Sequence, residues 1–136
     1  MCSSTTPCDV GWAEQLPEHC PPAGVNAPTG ETYYRAVTSF PPTAADFVSH
    51  RGLFPARSFR VSECRTRAVS LFDSAHKCFE LLKLPRFRGK LVVGIALPTN
   101  AGALQRDGNS GHVSWWRCGS FDSVAASVRV DLGGSP

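Results

Sequence analysis

The sequence predicts a single α+β domain with a curved, mostly antiparallel sheet, two helices and an irregular N-terminal arm. A chain of 136 residues, 42% of them hydrophobic, is long enough to bury one core of its own. Short segments that alternate apolar and polar residues recur along the chain. The last of these segments are joined by turns too short for a crossover helix, so their strands are expected to pair antiparallel.

Residues 1–31 are rich in Pro, Ser, Thr and Gly and show no sustained hydrophobic period, which predicts an irregular arm. Within the arm, Trp12 and Leu16 lie four positions apart, and this spacing predicts a short helix over 11–16. Residues 32–132 form the predicted domain, and 133–136 form a tail.

The domain begins with a strand over 31–37, which Pro41 and Pro42 end. Thr43, followed three residues later by Asp46, is a capping pattern that predicts a short helix reaching about position 50. Residues 51–66 read as a basic loop, and 67–72 as the second strand.

Asp73 or Ser74 caps the clearest helix, in which apolar residues from Ala75 to Leu82 follow helical spacing until Pro85 ends it. Four further strands are predicted, over 91–97, 103–106, 112–118 and 123–130. The last strand is expected to turn alternate side chains toward the core, namely those of Val124, Ala126, Val128 and Val130.

Charge is distributed unevenly, since residues 51–90 carry ten Lys or Arg against three acidic residues. This excess predicts either a cationic face for phosphate or an acidic partner, or a solvated surface that the acidic N-terminal segment partly offsets. No apolar run approaches the roughly 18 residues of a membrane span, so no membrane partner is expected. The first 34 residues contain no Lys or Arg, so an export signal is not predicted, and the expected compartment is the cytoplasm, where cysteines stay reduced. The even count of six cysteines leaves a disulfide framework as the alternative.

The strand at 112–118 places the side chains of His112, Ser114 and Trp116 on one face. A titratable ring, a hydroxyl and a large aromatic on so short a segment indicate a polar site. No zinc-binding spacing such as C-x-x-C or H-E-x-x-H occurs, and no metal is predicted.

Four motifs in this order resemble a family of small, largely uncharacterised bacterial proteins over about 33–130. They are Tyr34-Arg35, the run from Pro41 to Phe47, the run from Val69 to Phe72, and the run from His112 to Trp115.

A fainter resemblance is to ADP-ribosyltransferase-like domains, with Arg35 on the first strand and Ser70 on a later strand before a helix. The resemblance implies a nucleotide-binding or NAD-binding domain of an effector or toxin. Arg35 would contact the NAD phosphates or ribose, and Ser70 would help to hold the nicotinamide side. The family's late-strand glutamate is missing, because Glu80 is the last glutamate and lies in a predicted helix. His112 stands near that position, and whether the chain is an enzyme stays open.

The predicted site is a cleft with Arg35, Ser70 and His112 as catalytic candidates and Tyr34, Ser114 and Trp116 as binding candidates. NAD is the one cofactor that the resemblance names, and a nucleotide or a protein is the expected partner. The oligomeric state is not predicted.

Two alternatives remain. The first is a non-catalytic protein-interaction module that uses Trp12, Trp115, Trp116 and the arginine-rich loop as anchors. The second is a single-strand nucleic-acid binder that uses the basic 51–90 region, where phenylalanines are interleaved with arginines.

Overall fold

The computed structural model describes residue 8 and residues 11–131. Its centre is a six-stranded sheet with the order β4-β5-β2-β1-β3-β6, in which every neighbouring pair is antiparallel. The strands are β1 (Thr32–Val37), β2 (Val69–Phe72), β3 (Leu91–Ala96), β4 (Gly102–Arg106), β5 (His112–Arg117) and β6 (Ser127–Val130). The α+β class and the antiparallel sheet are therefore confirmed.

Within residues 11–131, four short α-helices accompany the sheet, where the sequence predicted two. They are α1 (His50–Leu53), α2 (Glu63–Thr66), α3 (Ala75–Leu81) and α4 (Ser123–Ala126). Each begins at a side-chain oxygen that accepts a hydrogen bond from the backbone N–H three residues on; the capping residues are Ser49, Ser62, Ser74 and Asp122. Such caps satisfy backbone donors that a helix start leaves unpaired.

The alternation of β2 and β5 separates a core face from a polar face. Val69 and Leu71 of β2, with Val113 and Trp115 of β5, lie in the hydrophobic core. The core also takes in Phe47, which is fully buried. The residues between them on each strand point the other way. The sheet therefore fixes which side chains of β2 and β5 can meet outside this core.

The helix expected from Thr43 to about position 50 is only a 3-10 turn, which covers Ala44–Phe47. A separate helix, α1, begins after the Ser49 cap and lies mostly in the predicted loop 51–66. Asp46 explains the turn, because its carboxylate accepts hydrogen bonds from the N–H of Thr43 at 2.9 Å and of Thr38 at 3.0 Å. A buried acceptor that joins β1 to this turn leaves little freedom for a continuous helix.

Two further expectations are corrected. The predicted loop 51–66 contains α2, which Ser62 caps. The predicted strand 123–130 is a helix in its first half, because Asp122 caps α4, and only Ser127–Val130 extends as β6. Val128, which was expected in the core, is 65% exposed.

The cysteines are not all reduced, contrary to the sequence-based expectation. Cys8 is bonded to Cys118 and Cys20 to Cys64, across 110 and 44 positions of the chain. Cys78 is free and buried, whereas Cys2 lies outside the described residues. Partners this far apart in the chain could not be paired from their spacing alone.

The described part of the arm packs against the domain and contains no helix over 11–16. Trp12 forms an isolated bridge with Cys118, and Asn26 forms another with Leu104. Glu14 accepts hydrogen bonds from the N–H and the hydroxyl of Ser49, at 2.9 and 2.6 Å. No helix among the described residues is long and apolar enough to cross a membrane. The predicted tail, 133–136, lies outside the described residues.

Candidate functional site

The pairing of β2 with β5 brings a hydroxyl and an imidazole into contact. Ser70 lies directly opposite Ser114, and Phe72 opposite His112. The side chains of Ser70, His112 and Ser114 therefore share the polar face of these two strands. His112 Nε2 lies 2.9 Å from Ser70 Oγ, which is within hydrogen-bond distance.

Asp107 supplies a carboxylate to the other side of the same ring. It follows β4 directly, and its backbone N–H donates to the carbonyl of His112 at 3.0 Å, which closes the β4–β5 hairpin. Its Oδ2 atom contacts His112 Nδ1 and accepts a hydrogen bond from Ser114 Oγ at 3.0 Å. Ser70, His112 and Asp107 thus form a continuous chain of polar contacts.

The carboxylate and the imidazole are held in place by other parts of the fold. Arg65 of α2 places Nη2 at 2.8 Å from Asp107 Oδ1. The ring of Phe72 meets the His112 ring edge-on, with centroids 5.6 Å apart. Because these neighbours limit rotation of both side chains, the geometry is set before any ligand arrives.

The order of the three groups determines the proton positions. An ionised carboxylate only accepts hydrogen bonds, so contact with Asp107 assigns the ring proton of neutral His112 to Nδ1. Nε2 is then left to accept the Ser70 hydroxyl proton. Since the His112 side chain is 27% exposed, the ring is not closed off from solvent. This arrangement can activate a serine hydroxyl as a nucleophile.

Arg35 lies beside Ser70 but binds its backbone. Its Nε donates to the Asp46 carbonyl at 2.6 Å and its Nη1 to the Ser70 carbonyl at 2.7 Å. β1 and β2 share a single register pair, Tyr34 with Phe72, and the hydrogen bond from Arg35 to Ser70 adds a side-chain contact between the same two strands. Burial lowers the pKa of Arg35 to about 10, a shift that Asp46 partly offsets.

The three predicted binding residues are placed differently. Ser114 is buried and donates to Asp107. Tyr34 is half-buried, with its ring close to Gly94, where an added Cβ would lie 3.3 Å from Tyr34 Cε1. Trp116 is fully buried and donates from Nε1 to the Cys64 carbonyl at 3.0 Å. Trp116 therefore packs in the interior and does not line an open cleft.

Asp107 and Arg65 are the site residues that sequence reasoning missed. Asp107 lies in the predicted turn just before the strand of His112, and a hairpin brings the residues flanking its turn together. The hairpin pattern could therefore have identified Asp107 as a neighbour of His112. No sequence pattern places Arg65 near Asp107, because the position of α2 depends on tertiary structure.

The free thiol of Cys78 is not among the side chains of this site. Burial raises the pKa of the Cys78 thiol to about 11, which keeps it protonated at neutral pH. Within the described residues, no cluster of three or more His, Cys, Asp or Glu side chains is placed to hold a metal ion.

A separate cavity of about 400 Å³ lies between the arm and the β4–β5 hairpin, and none of the six predicted site residues lines it. Asn26, Glu31, Tyr33 and Arg106 are among its lining residues.

Comparison of the chain with protein-family models, with curated proteins and with solved structures gives no match in any of the three. The function is therefore argued from the site itself.

Proposed function

We propose that the protein is an enzyme that transfers or hydrolyses acyl groups, with Ser70 as the nucleophile. The observation that carries this proposal is the unbroken contact from Ser70 Oγ through the His112 ring to the Asp107 carboxylate. Serine, histidine and an acid in this order activate a hydroxyl on unrelated folds, so the geometry and not the chain order carries the assignment.

In the proposed reaction, Ser70 Oγ attacks the carbonyl carbon of an ester while its proton passes to His112 Nε2. The protonated imidazole then gives that proton to the departing alcohol, which leaves an acyl group on Ser70. Water then attacks the acyl group while His112 Nε2 takes a proton from it. The same proton passes to Ser70 Oγ as the bond from Oγ to the acyl carbon breaks, which releases the acid and restores the starting state. The Asp107 carboxylate, in contact with His112 Nδ1, stabilises the positive charge that forms on the ring.

The test is hydrolysis of p-nitrophenyl esters of increasing acyl length by the full chain with both disulfides formed. Ser70→Ala should abolish release of nitrophenol above the uncatalysed rate, because the nucleophile is gone. Ser120→Ala is the matched control, since Ser120 is exposed and lies in the turn after β5. Equal hydrolysis by wild type and Ser70→Ala, or none by wild type with any ester, would contradict the proposal.

A second candidate function is binding of NAD or another nucleotide, which the resemblance to ADP-ribosyltransferase-like domains implies. The observation that favours it is the adjacency of Arg35 on β1 and Ser70 on β2, with 2.7 Å between Arg35 Nη1 and the Ser70 carbonyl. A carboxylate, Asp107, also lies next to the late strand where that family carries a glutamate. Within the described residues, the Arg35 guanidinium makes two hydrogen bonds, both to backbone carbonyls.

Calorimetric titration with NAD, together with an assay for released nicotinamide, tests this second candidate. Saturable binding that Arg35→Lys weakens would support it. Arg35→Lys retains the charge but not the two-pronged geometry of the guanidinium, and circular dichroism checks that the variant folds. If the titration shows no heat of binding and the assay detects no released nicotinamide, the nucleotide proposal fails, whatever the result of the ester assay.

We also propose that the chain matures in an oxidising compartment rather than in the cytoplasm expected from its sequence. The Cys8–Cys118 and Cys20–Cys64 bonds support this location, because such bonds persist where thiols are not kept reduced. Thiol labelling of protein isolated from its native cells tests it. We expect both disulfide bonds to be retained. Labelling of Cys20 and Cys64 by the thiol reagent would show that their bond is absent and would contradict the proposed location.

A further inference from the structure

The positive charge of the chain is concentrated on residues 51–90. Ten basic and three acidic residues give this segment a net charge of +7, against +3 for the whole chain, so the remainder carries −4. Because the charges are separated in this way, the electrostatic potential near residues 51–90 is expected to be more positive than over the rest of the surface.

All three acids in this segment are already engaged. Glu63 pairs with Arg51 at 2.9 Å and with Arg67 at 2.8 Å. Asp73 pairs with Arg106 at 2.7 Å, and Glu80 with Lys83 at 3.2 Å. Within the described residues, five cations of the segment then lack an ion pair: Arg57, Arg60, Arg86, Arg88 and Lys90.

Three of these cations lie over aromatic rings. Arg57 Cζ is 3.9 Å from the centre of the Phe54 ring, and Phe54 is itself 41% exposed. Arg86 Cζ and Lys90 Nζ each lie 5.2 Å from the centre of Phe87. Such pairs hold flexible side chains in place, so less entropy is lost when the cations bind a partner.

The charges of both halves of the segment act on one side chain, His50. Its pKa is lowered first by partial burial and then by the charges of Arg35, Arg57 and Arg86. We call the five unpaired cations, together with the two rings that three of them cover, the basic surface, which consists of Phe54, Arg57, Arg60, Arg86, Phe87, Arg88 and Lys90.

We propose that the basic surface binds single-stranded nucleic acid. Unpaired cations that are spread along a surface match the repeated phosphates of such a strand. The half-exposed ring of Phe54 offers apolar contact to unpaired bases, whose faces a duplex hides. The residues of this surface are distinct from Ser70, His112 and Asp107, so the inference does not depend on the proposed enzymatic function.

Fluorescence anisotropy with a labelled 20-nucleotide oligo-dT and with a duplex of equal length tests the proposal. Wild type should bind the single strand more tightly than the duplex. The logarithm of its binding constant should fall with the logarithm of salt concentration with a slope of about −3, as about four or five phosphate contacts would give.

The double variant Arg57→Gln/Arg86→Gln should weaken single-strand binding at least about tenfold at low salt, because each phosphate contact contributes to affinity. Arg129→Gln/Ser120→Asp is the matched control. It lowers net charge by the same two units at exposed positions outside the basic surface, and it should change affinity less than about twofold. Arg57→Lys/Arg86→Lys preserves the charge and should retain most of the binding.

Three outcomes would overturn the proposal: no binding of the single strand at low salt, tighter binding of the duplex, or an equal loss in the charge-matched control. Binding to phosphatidylserine vesicles without binding to oligo-dT would likewise overturn it, because it assigns the surface to a membrane. Circular dichroism of each variant checks that the fold is retained.

Discussion

At the residue scale, Ser70 gains its proposed reactivity from side chains that are far away in the sequence. His112 lies 42 positions along the chain, and their contact depends on the register of β2 with β5. The carboxylate of Asp107 is 16% exposed and meets His112, Ser114 and Arg65 together. A carboxylate with several fixed partners keeps its orientation, and it therefore holds the His112 ring in the orientation that can accept the Ser70 proton.

Replacing Asp107 by Asn tests its proposed role. Asp107→Asn keeps the size of the side chain but can present an N–H to His112 Nδ1, which then favours the tautomer that cannot accept from Ser70. We expect kcat for ester hydrolysis to fall about 10³- to 10⁴-fold with little change in secondary structure. Asp122→Asn, at the cap of α4, is the control and should retain its rate. A similar rate for Asp107→Asn and wild type would assign Asp107 a structural role only.

Two side chains predict how stability depends on pH. Partial burial lowers the pKa of His50 below its usual 6.5, so the unfolded chain takes up this proton first as pH falls. Hydrogen bonds from Arg51 and Arg67 lower the pKa of Glu63 below 4.5, so its contribution to stability is present above that pH and is lost in acid.

Urea unfolding from neutral pH down to well below pH 4.5 should therefore show a free energy of unfolding that decreases toward acid. His50→Gln should flatten the decline that begins at the usual histidine pKa of 6.5, and Glu63→Gln the decline below the usual glutamate pKa of 4.5. His76→Gln is the control at an exposed histidine of α3. An unchanged pH dependence in His50→Gln and Glu63→Gln would show that other groups cause the acid sensitivity.

At the element scale, the β4–β5 hairpin carries the site, and its geometry depends on a close backbone approach. β4 begins at Gly102, whose φ is +145°. A Cβ there would lie 2.0 Å from the Trp116 carbonyl oxygen of β5. Only glycine fits such an approach without moving the strands. The pairing that places Asp107 next to His112 thus depends on a residue without a side chain.

Gly102→Ala should destabilise the protein by about 3 kcal/mol or more, because the clash is with backbone and φ is positive. Gly108→Ala is the matched comparison, because φ is +70° there but no heavy atom lies within 4 Å of the added Cβ. It should cost about 1 kcal/mol. The difference in urea unfolding free energy between the two variants is the measurement. Equal costs would show that the close approach at Gly102 is not required.

The sequence predicted elements well where the signal is local. The apolar run at 91–97 became β3, and the turn over 107–111 became the connection from β4 to β5. The prediction of a strand over 123–130 was wrong for its first half. The alternating pattern favours a strand there, but Asp122 caps a helix, and the first four residues are helical. Hydrophobic spacing does not show which of two such local preferences tertiary packing will select.

At the scale of the whole molecule, the disulfides connect the N-terminal arm to the elements that hold the site. Cys118 follows β5, which carries His112, and Cys64 precedes Arg65 in α2. Both bonds restrict the unfolded chain, because they close loops of 110 and 44 positions. The arm is therefore part of the support of the site as well as of the fold.

Removal of each disulfide as a pair, Cys8→Ser/Cys118→Ser or Cys20→Ser/Cys64→Ser, should lower the free energy of unfolding by about 2–5 kcal/mol. The second pair should also reduce ester hydrolysis, since Arg65 contacts Asp107 from the same helix. Cys78→Ser serves as the comparison, because Cys78 is outside both bonds. Unchanged urea midpoints after the loss of either bond would contradict this account of the arm.

The candidate site was predicted in part. Ser70, His112 and Ser114 follow from alternation on two strands, but the sequence does not show that β2 and β5 are neighbours. Trp116 lies on the same face of β5, yet its large ring is buried beneath α2, where the Cys64 carbonyl accepts its N–H. Alternation along a strand predicts which face of the sheet a side chain lies on. It does not predict whether that side chain is buried, because burial depends on which other element covers that face.

The most direct test of the central proposal is covalent labelling of the native protein with a fluorophosphonate, followed by peptide mass mapping. Such reagents phosphonylate a serine hydroxyl that a neighbouring base activates. We expect one adduct on Ser70 in wild type, none in Ser70→Ala, and a strongly slowed adduct in His112→Gln, because the imidazole that contacts the hydroxyl is then missing. An unmodified Ser70, or labelling at the same rate in His112→Gln, would contradict it.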